Sequence, residues 1–493
     1  MSFESDGSNA VKTEIQDAVS EKAVDSSVGP VEPTKRDWRF WMIFVALSVT
    51  GLLSALEVTV TSNALPTIVH DLDLGENYEW IVNVFFLASM VFQPLTGQIA
   101  NIFGRRWPMI FSVCMLIIGS GISGGATNVA TLISGRAIQG VGGGGINVLI
   151  ELIICDLVPL RERSKFLAII MATFTVGTSL GPFIGGEIVQ KSSWRWVFYL
   201  NLPIGGAALL LLFAFLQVRY TKETTISQKL KRIDWVGNLI LIPSLVAILI
   251  ALTDAGTTAP WSSWRIILPL TIGLCGLVAF QIFESSRFCL EPTIPTHLFS
   301  NRTTITALVL AFIHTIDTVW VIYFLPVYFQ AILLSTPGRS GVQLLPTLLI
   351  LVPFAIAGGI TVAKFGRYRP LHHIGFALMA IGFGLFTMLE SESSVAEWVI
   401  FQAITAAGSG IIVSCLLPAI QASLTEADSG SSTATFAFTR SFGAVWGLTV
   451  PAAIFNNQFD QHASRIADAN IRQMFVGGKA YASWPLSRPT EVG

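Results

Sequence analysis

Charge is what this sequence has least of. Lys, Arg, Asp and Glu supply 12% of its 493 residues against 52% hydrophobic ones. With a mean hydropathy of +0.64, that leaves too little polar surface to cover a water-soluble globule, so a lipid bilayer is the expected partner. A formal net charge of −1 gives no basic excess, and no nucleic-acid partner is expected. Cysteine is scarce as well. Cys114, Cys155, Cys275, Cys289 and Cys415 lie in or beside apolar runs without metal-ligand spacing and read as small hydrophobes or inert thiols. Neither His314 nor the His372-His373 pair belongs to a metal-spacing motif, so no metal is expected. There is no Gly-rich loop followed by Lys and Ser or Thr, which argues against transport powered by ATP on this chain. A membrane-bound transferase would need a polar catalytic cluster; the ionisable residues inside the apolar runs suit a transport path better, and an enzyme is not expected.

What is present is a repeat. GQIANIFGRRWP (residues 97–108) has an echo in GITVAKFGRYRP (residues 359–370), with Phe103, Gly104, Arg105 and Pro108 in register with Phe365, Gly366, Arg367 and Pro370. The offset is 365 minus 103, or 262 residues. Each copy is a short basic hinge between long apolar runs, and a repeat of that size predicts two homologous halves.

Apolar runs of spanning length fall at residues 40–66, 79–102, 108–127, 130–155, 166–189, 197–217, 235–253, 264–283, 304–329, 342–363, 371–389, 398–422 and 430–455, which makes thirteen predicted transmembrane helices. The same offset carries the ninth through thirteenth onto the first through fifth. Spans seven and eight have no counterpart and read as an insertion. The expected organisation is a disordered cytoplasmic tail (1–37), a six-helix bundle (38–217), two inserted helices with linkers (218–302), a five-helix bundle (303–455) and a polar tail (456–493). With the amino terminus inside, Arg105, Arg106, Arg161, Arg163, Lys165 and Arg367 all fall in cytoplasmic loops, the bias that sets membrane orientation. The first span then acts as a signal anchor rather than a cleaved peptide.

Several motifs now lie on defined spans: LEVTVTSNALPTI (Leu56 to Ile68) on the first, GQIANIFGRR at the hinge, RAIQGVGGG (Arg136 to Gly144) on the fourth and GTSLGPFIGG (Gly177 to Gly186) on the fifth. WRWVFYLNLPIG, DWVG and LPVYFQ follow in order. Together they resemble the major facilitator superfamily, specifically its drug:proton antiporter family with fourteen spans, which includes fungal toxin and multidrug efflux pumps. The resemblance covers most of residues 40 to 455. It implies an all-α membrane protein of two bundles around a central cavity, lined by spans one, two, four and five and their counterparts nine, ten, twelve and thirteen. It also implies export of an amphipathic organic compound in exchange for protons, with the proton gradient in place of any cofactor. A proton-coupled importer on the same fold, and a sensor that binds solute without moving it, remain open alternatives.

The residues give the motifs physical content. Gly177, Gly181 and Gly185 share one helical face and let a neighbouring backbone come close, with Gly186 beside them, while Pro182 removes a backbone donor and invites a bend. The resemblance makes this the antiporter motif; tight packing alone is the other reading. Arg136 and Glu57 both fall in the outer half of their spans at a rise of about 1.5 Å per residue, so they could meet. A carboxyl at membrane depth suits proton exchange near neutrality, which makes Glu57 the expected proton carrier. The family usually has Asp there, so Glu is a departure. Asp317, close to the counterpart position in the second half, is the second candidate. Trp320 and Trp446, inside spans, are candidates to stack on substrate, and Gln139 and Gln330 are polar ones. At the hinge, Gly97, Gly104, Arg105 and Arg106 match the family, but Asn101 and Ile102 stand where it usually has Asp and Arg, which thins its charge network. Asp156, at the inner end of span four, is the expected partner for the arginines.

The counterpart of the sixth span should lie near residues 459–479, yet FDQHASRIADANIRQMFVGGK carries Asp460, Arg465, Asp468, Arg472 and Lys479 and is not apolar enough to cross a bilayer. A tail outside the cell and a missing fourteenth span are therefore expected. A monomer in the plasma membrane, rather than the vacuolar one, completes the reading.

Overall fold

Helices cover all thirteen apolar runs in the computed structural model, which describes residues 37–72, 78–217, 226–255, 259–286, 289, 291–335, 337–425, 428–466 and 472. In the first copy of the repeat these are α1 (Trp38–Asp71), α2 (Tyr78–Val91), α3 (Gln93–Phe103), α4 (Arg106–Gly124), α5 (Val129–Leu157) and α6 (Leu160–Lys191). α7 (Arg195–Tyr199), α8 (Asn201–Phe215), α9 (Ile226–Arg232), α10 (Trp235–Asp254) and α11 (Trp264–Glu284) follow. The second copy comprises α12 (Arg302–Val327), α13 (Pro337–Phe365), α14 (Arg369–Phe386), α15 (Val395–Gln421) and α16 (Ser429–His462). The expected disordered tail falls on residues outside the described set, as does most of the stretch sought as a fourteenth span; residues 459–462 continue α16.

Nine of the described helical stretches are long and apolar enough to cross a membrane, or ten if α2 and α3, bent by 40°, form one span. The bend comes at Phe92, where Pro94 enters the second position of α3 and removes a backbone donor. The other three expected spans, α6, α14 and α16, are helical but more polar. α14 opens on Arg369, Pro370, His372 and His373, and α6 and α16 are rich in Gly, Ser and Thr.

The chain divides into a unit of residues 1–42 and one of residues 43–493, and the helix packing lies within the second. That packing repeats. α4 and α2 lie against α5 as α14 and α13 lie against α15, and the α1–α6 contact has its equivalent in α12–α16. Both hinge glycines take the left-handed backbone that side chains resist, Gly104 at φ 84° and Gly366 at φ 65°. The inserted helices α10 and α11 pack on each other, with α10 also touching α2 and α16. The copies meet through α6 with α13 and α15, and through α16 with α3 and α5.

The glycine face on α6 has the close approach its spacing predicts. A Cβ on Gly177 would press on Ala55, one on Gly181 on Thr59 and one on Gly185 on Val60, so α1 lies against bare backbone. That seat holds α1, and with it Glu57, at a fixed depth beside α6. The side chain of Pro182 lies outside the described residues.

Candidate transport path

Two charge pairs, one fully buried and one half-buried, lie at two depths along α5. The first belongs wholly to the first copy and its flank. Arg136 pairs with Glu57 of α1, and Asn201 at the start of α8 donates its amide N–H to the other Glu57 oxygen. Arg136 also donates Nε to the Ile81 carbonyl at 3.0 Å and Nη1 to Gln139 at 3.1 Å, and its guanidinium lies 4.5 Å from the centre of the Phe85 ring. Gln139 donates to Ser120 at 2.7 Å. Glu57, Gln139, Asn201 and Ser120 are each 0% exposed and Arg136 is 1% exposed, so a compact polar knot is sealed among apolar helices. Pairing of both charges is what makes such burial tolerable, although Asn201 Oδ1 is buried without a partner. Gln139, expected to face substrate, is bound into this knot.

The second pair escaped sequence reasoning. Glu151 lies fifteen residues beyond Arg136 on α5, about 22 Å along the axis. Arg440 of α16 donates Nη1 to its Oε1 at 2.6 Å, so this ion pair ties the first copy of the repeat to the second. The pair borders a cavity of about 80 Å³ between α1, α3, α5, α6 and α16, walled by Met171, Phe174 and Ala437 and polar at Gln93, Asn147 and Ser441. Glu151 Oε2 and Gln93 Oε1 are buried there without hydrogen-bond partners. Ionisable residues inside two apolar runs were the clue in the sequence.

At the hinge, Arg105 donates Nε to Asp156 at 2.7 Å and Nη1 to the Ala100 carbonyl at 2.6 Å and to Asn101 at 2.9 Å. Asn101 in turn reaches Ser431 of α16 at 3.3 Å, and a Cβ on Gly97 would meet Ala434 of the same helix. Arg106 donates instead to the Phe213 carbonyl at 2.8 Å. Arg163 adds a further tie between copies, donating to Gln421 at 2.7 Å. The Asn at position 101 thus bridges the copies with a neutral amide.

The second-copy candidates are dispersed. Asp317 is half-buried with no hydrogen-bond partner among the described residues, one turn from His314, which bonds Ser409 at 2.9 Å. Trp320 stacks on Phe383 of α14 with ring centres 5.1 Å apart and planes 14° from parallel, while keeping 43% exposure. Trp446 meets Phe442 edge-on, and its buried indole N–H has no partner. Gln330 donates to Ser340 at 3.3 Å.

A separate polar junction joins the inserted helices to the hinge. Asp234 caps α10 by accepting from the Gly237 N–H at 2.8 Å, and Glu284 accepts from the N–H groups of Thr293 and Ile294 at 2.9 and 3.1 Å. Carboxylate oxygens of both and the Cys289 sulfur lie within 4.8 Å of one another. Burial, with the two carboxylates adding to it, pushes the Cys289 thiol up to about 12.

Comparison with known proteins agrees with this architecture. The sequence profile described as Major Facilitator Superfamily matches residues 47–448. The chain is 53% identical over 457 residues to the MFS-type transporter gkaD of Penicillium citrinum, covering 93% of this chain and 78% of that one. It is 47% identical over 477 residues to the MFS efflux transporter aclA of Aspergillus oryzae, covering 97% and 87%. Among solved structures, the proton:xylose symporter XylE superposes with a TM-score of 0.60 at 17% identity, over 90% of this chain and 93% of that one, a likeness of fold alone.

Proposed function

The chain belongs to the Major Facilitator Superfamily, and on that premise we propose that it exports a small amphipathic organic compound across the plasma membrane in exchange for protons, working as a monomer. It is a multi-pass membrane transporter of the efflux type and not an enzyme. The observation that carries the proton half of the reading is the sealed knot around Glu57. A carboxylate there is stable only while Arg136 and Asn201 hold it. A proton arriving on Glu57 cancels its charge and leaves Arg136 without a counter-ion, which shifts the balance between arrangements of α1 and α5. Substrate and proton then compete for one arrangement, as exchange requires.

The test is efflux from proteoliposomes containing the purified chain and loaded with amphipathic organic dyes. An imposed pH gradient should drive dye movement, and an ionophore that collapses the gradient should stop it. Dye movement indifferent to the gradient, or none with any dye tried, would overturn the reading.

A further inference from the structure

We propose that Asp234, Glu284 and Cys289 form a binding site for one divalent metal ion of the zinc type, placed where the inserted helices and their linker meet the cytoplasmic hinge. The three side chains come from the start of α10, the end of α11 and the linker beyond it, and one donor atom from each already lies within 4.8 Å of the others. Donors around a tetrahedral zinc ion stand roughly 3.3–3.8 Å apart, given bonds of about 2.0–2.3 Å. Small side-chain rotations therefore close the set.

The surroundings ask for a cation. Asp234 is 9% exposed and Glu284 4%, yet no Lys, Arg or His pairs with either carboxylate among the described residues. Two buried carboxylates this close repel unless a positive charge or a shared proton intervenes. One oxygen of Asp234 is spent on the Gly237 N–H; the other, Oδ2, is buried without any partner. One turn along, Asn238 is 4% exposed and its Oδ1 is likewise bare. Its Nδ2 bonds the Asp234 carbonyl at 2.7 Å and Thr293 at 3.1 Å, so the residue touches both segments that carry the cluster. Sulfur beside two oxygens selects a borderline ion such as Zn²⁺ over Mg²⁺ or Ca²⁺, which take oxygen alone.

Occupancy would staple three parts of the chain. Gln98 of α3, inside the first hinge motif, accepts from the Asp234 N–H at 3.3 Å and donates to the Glu291 carbonyl at 2.8 Å. An ion held by Asp234, Glu284 and Cys289 would therefore fix the inserted pair and the linker against α3.

Titration of the purified full-length chain with Co²⁺, using an affinity tag free of histidine, tests the site directly. One equivalent should bind and produce a thiolate-to-cobalt charge-transfer band, and excess Zn²⁺ should abolish the band. Cys289→Ser should lose the band, Cys289→Asp should bind without it, and Glu284→Gln should weaken binding by about tenfold or more. Zn²⁺ should also raise the melting temperature of the unmutated chain and not that of Cys289→Ser. No band, or a band that survives Cys289→Ser, overturns the proposal and leaves the two carboxyls sharing a proton. These readouts need no transport, so they stand or fall independently of the exporter reading.

Discussion

Glu151 and Arg440, 289 residues apart in the chain, share a 2.6 Å ion pair that joins α5 of the first repeat copy to α16 of the second. Glu57 and Arg136 form the contrasting pair, with both partners inside the first copy. Movement of one copy against the other, the usual way such repeats alternate access, would break the Glu151–Arg440 pair directly, whereas the Glu57–Arg136 pair changes only when α1 and α5 shift within the first copy. Arg440→Leu strands a buried carboxylate and should lower stability by about 3 kcal/mol, whereas adding Glu151→Leu to it should recover most of the loss. Thermal melts in detergent check this; a double variant that melts no higher than the single one would show that the stranded carboxylate is not the source of the loss.

The α1–α6 seat makes a second prediction. Gly181→Ala puts a methyl group onto Thr59 and should cost about 1–3 kcal/mol, seen as lower abundance and melting temperature. Thr59→Ala in the same chain should relieve much of that cost. Failure of the second change to help would show that glycine is needed there for something other than close approach.

How far the sequence could be read follows from how each feature is encoded. The hinge repeat was legible because it lies in contiguous residues; that both its glycines, Gly104 and Gly366, take the left-handed backbone only glycine accepts cheaply came from the structure. Depth counting along helices brought Glu57 to Arg136, since helical rise is nearly constant. Depth says nothing about which face of a helix turns toward which neighbour. Gln139 therefore went to the cavity in the sequence reading and to the Arg136 knot in the structure, and the Glu151–Arg440 pair went unnoticed. Metal-ligand spacing likewise finds only ligands close in sequence. Asp234 and Cys289 lie 55 residues apart and meet only because α10 and α11 fold as a hairpin.

Trp320 separates packing from recognition. Its ring stacks on Phe383 yet stays 43% exposed, so one face remains available to a ligand. Trp320→Ala should change which dyes are exported more than it changes protein abundance, while Trp320→Phe keeps a stacking partner and should lie between the two. A fall in abundance of the Ala variant with unchanged selectivity would mark the ring as packing, for which losing the stack costs about 0.5–1.5 kcal/mol beyond area.

The most direct test of the account compares Glu57→Gln with the unmutated chain in the same proteoliposomes under two regimes. One is dye efflux driven by a pH gradient; the other is dye-for-dye exchange with no gradient. Glutamine keeps the shape of the side chain and one of its two accepting oxygens but cannot give up a proton near neutrality. The account predicts that the variant loses gradient-driven efflux by about tenfold or more and keeps exchange, because only the proton-linked step is removed. Full gradient-driven efflux by Glu57→Gln would contradict it.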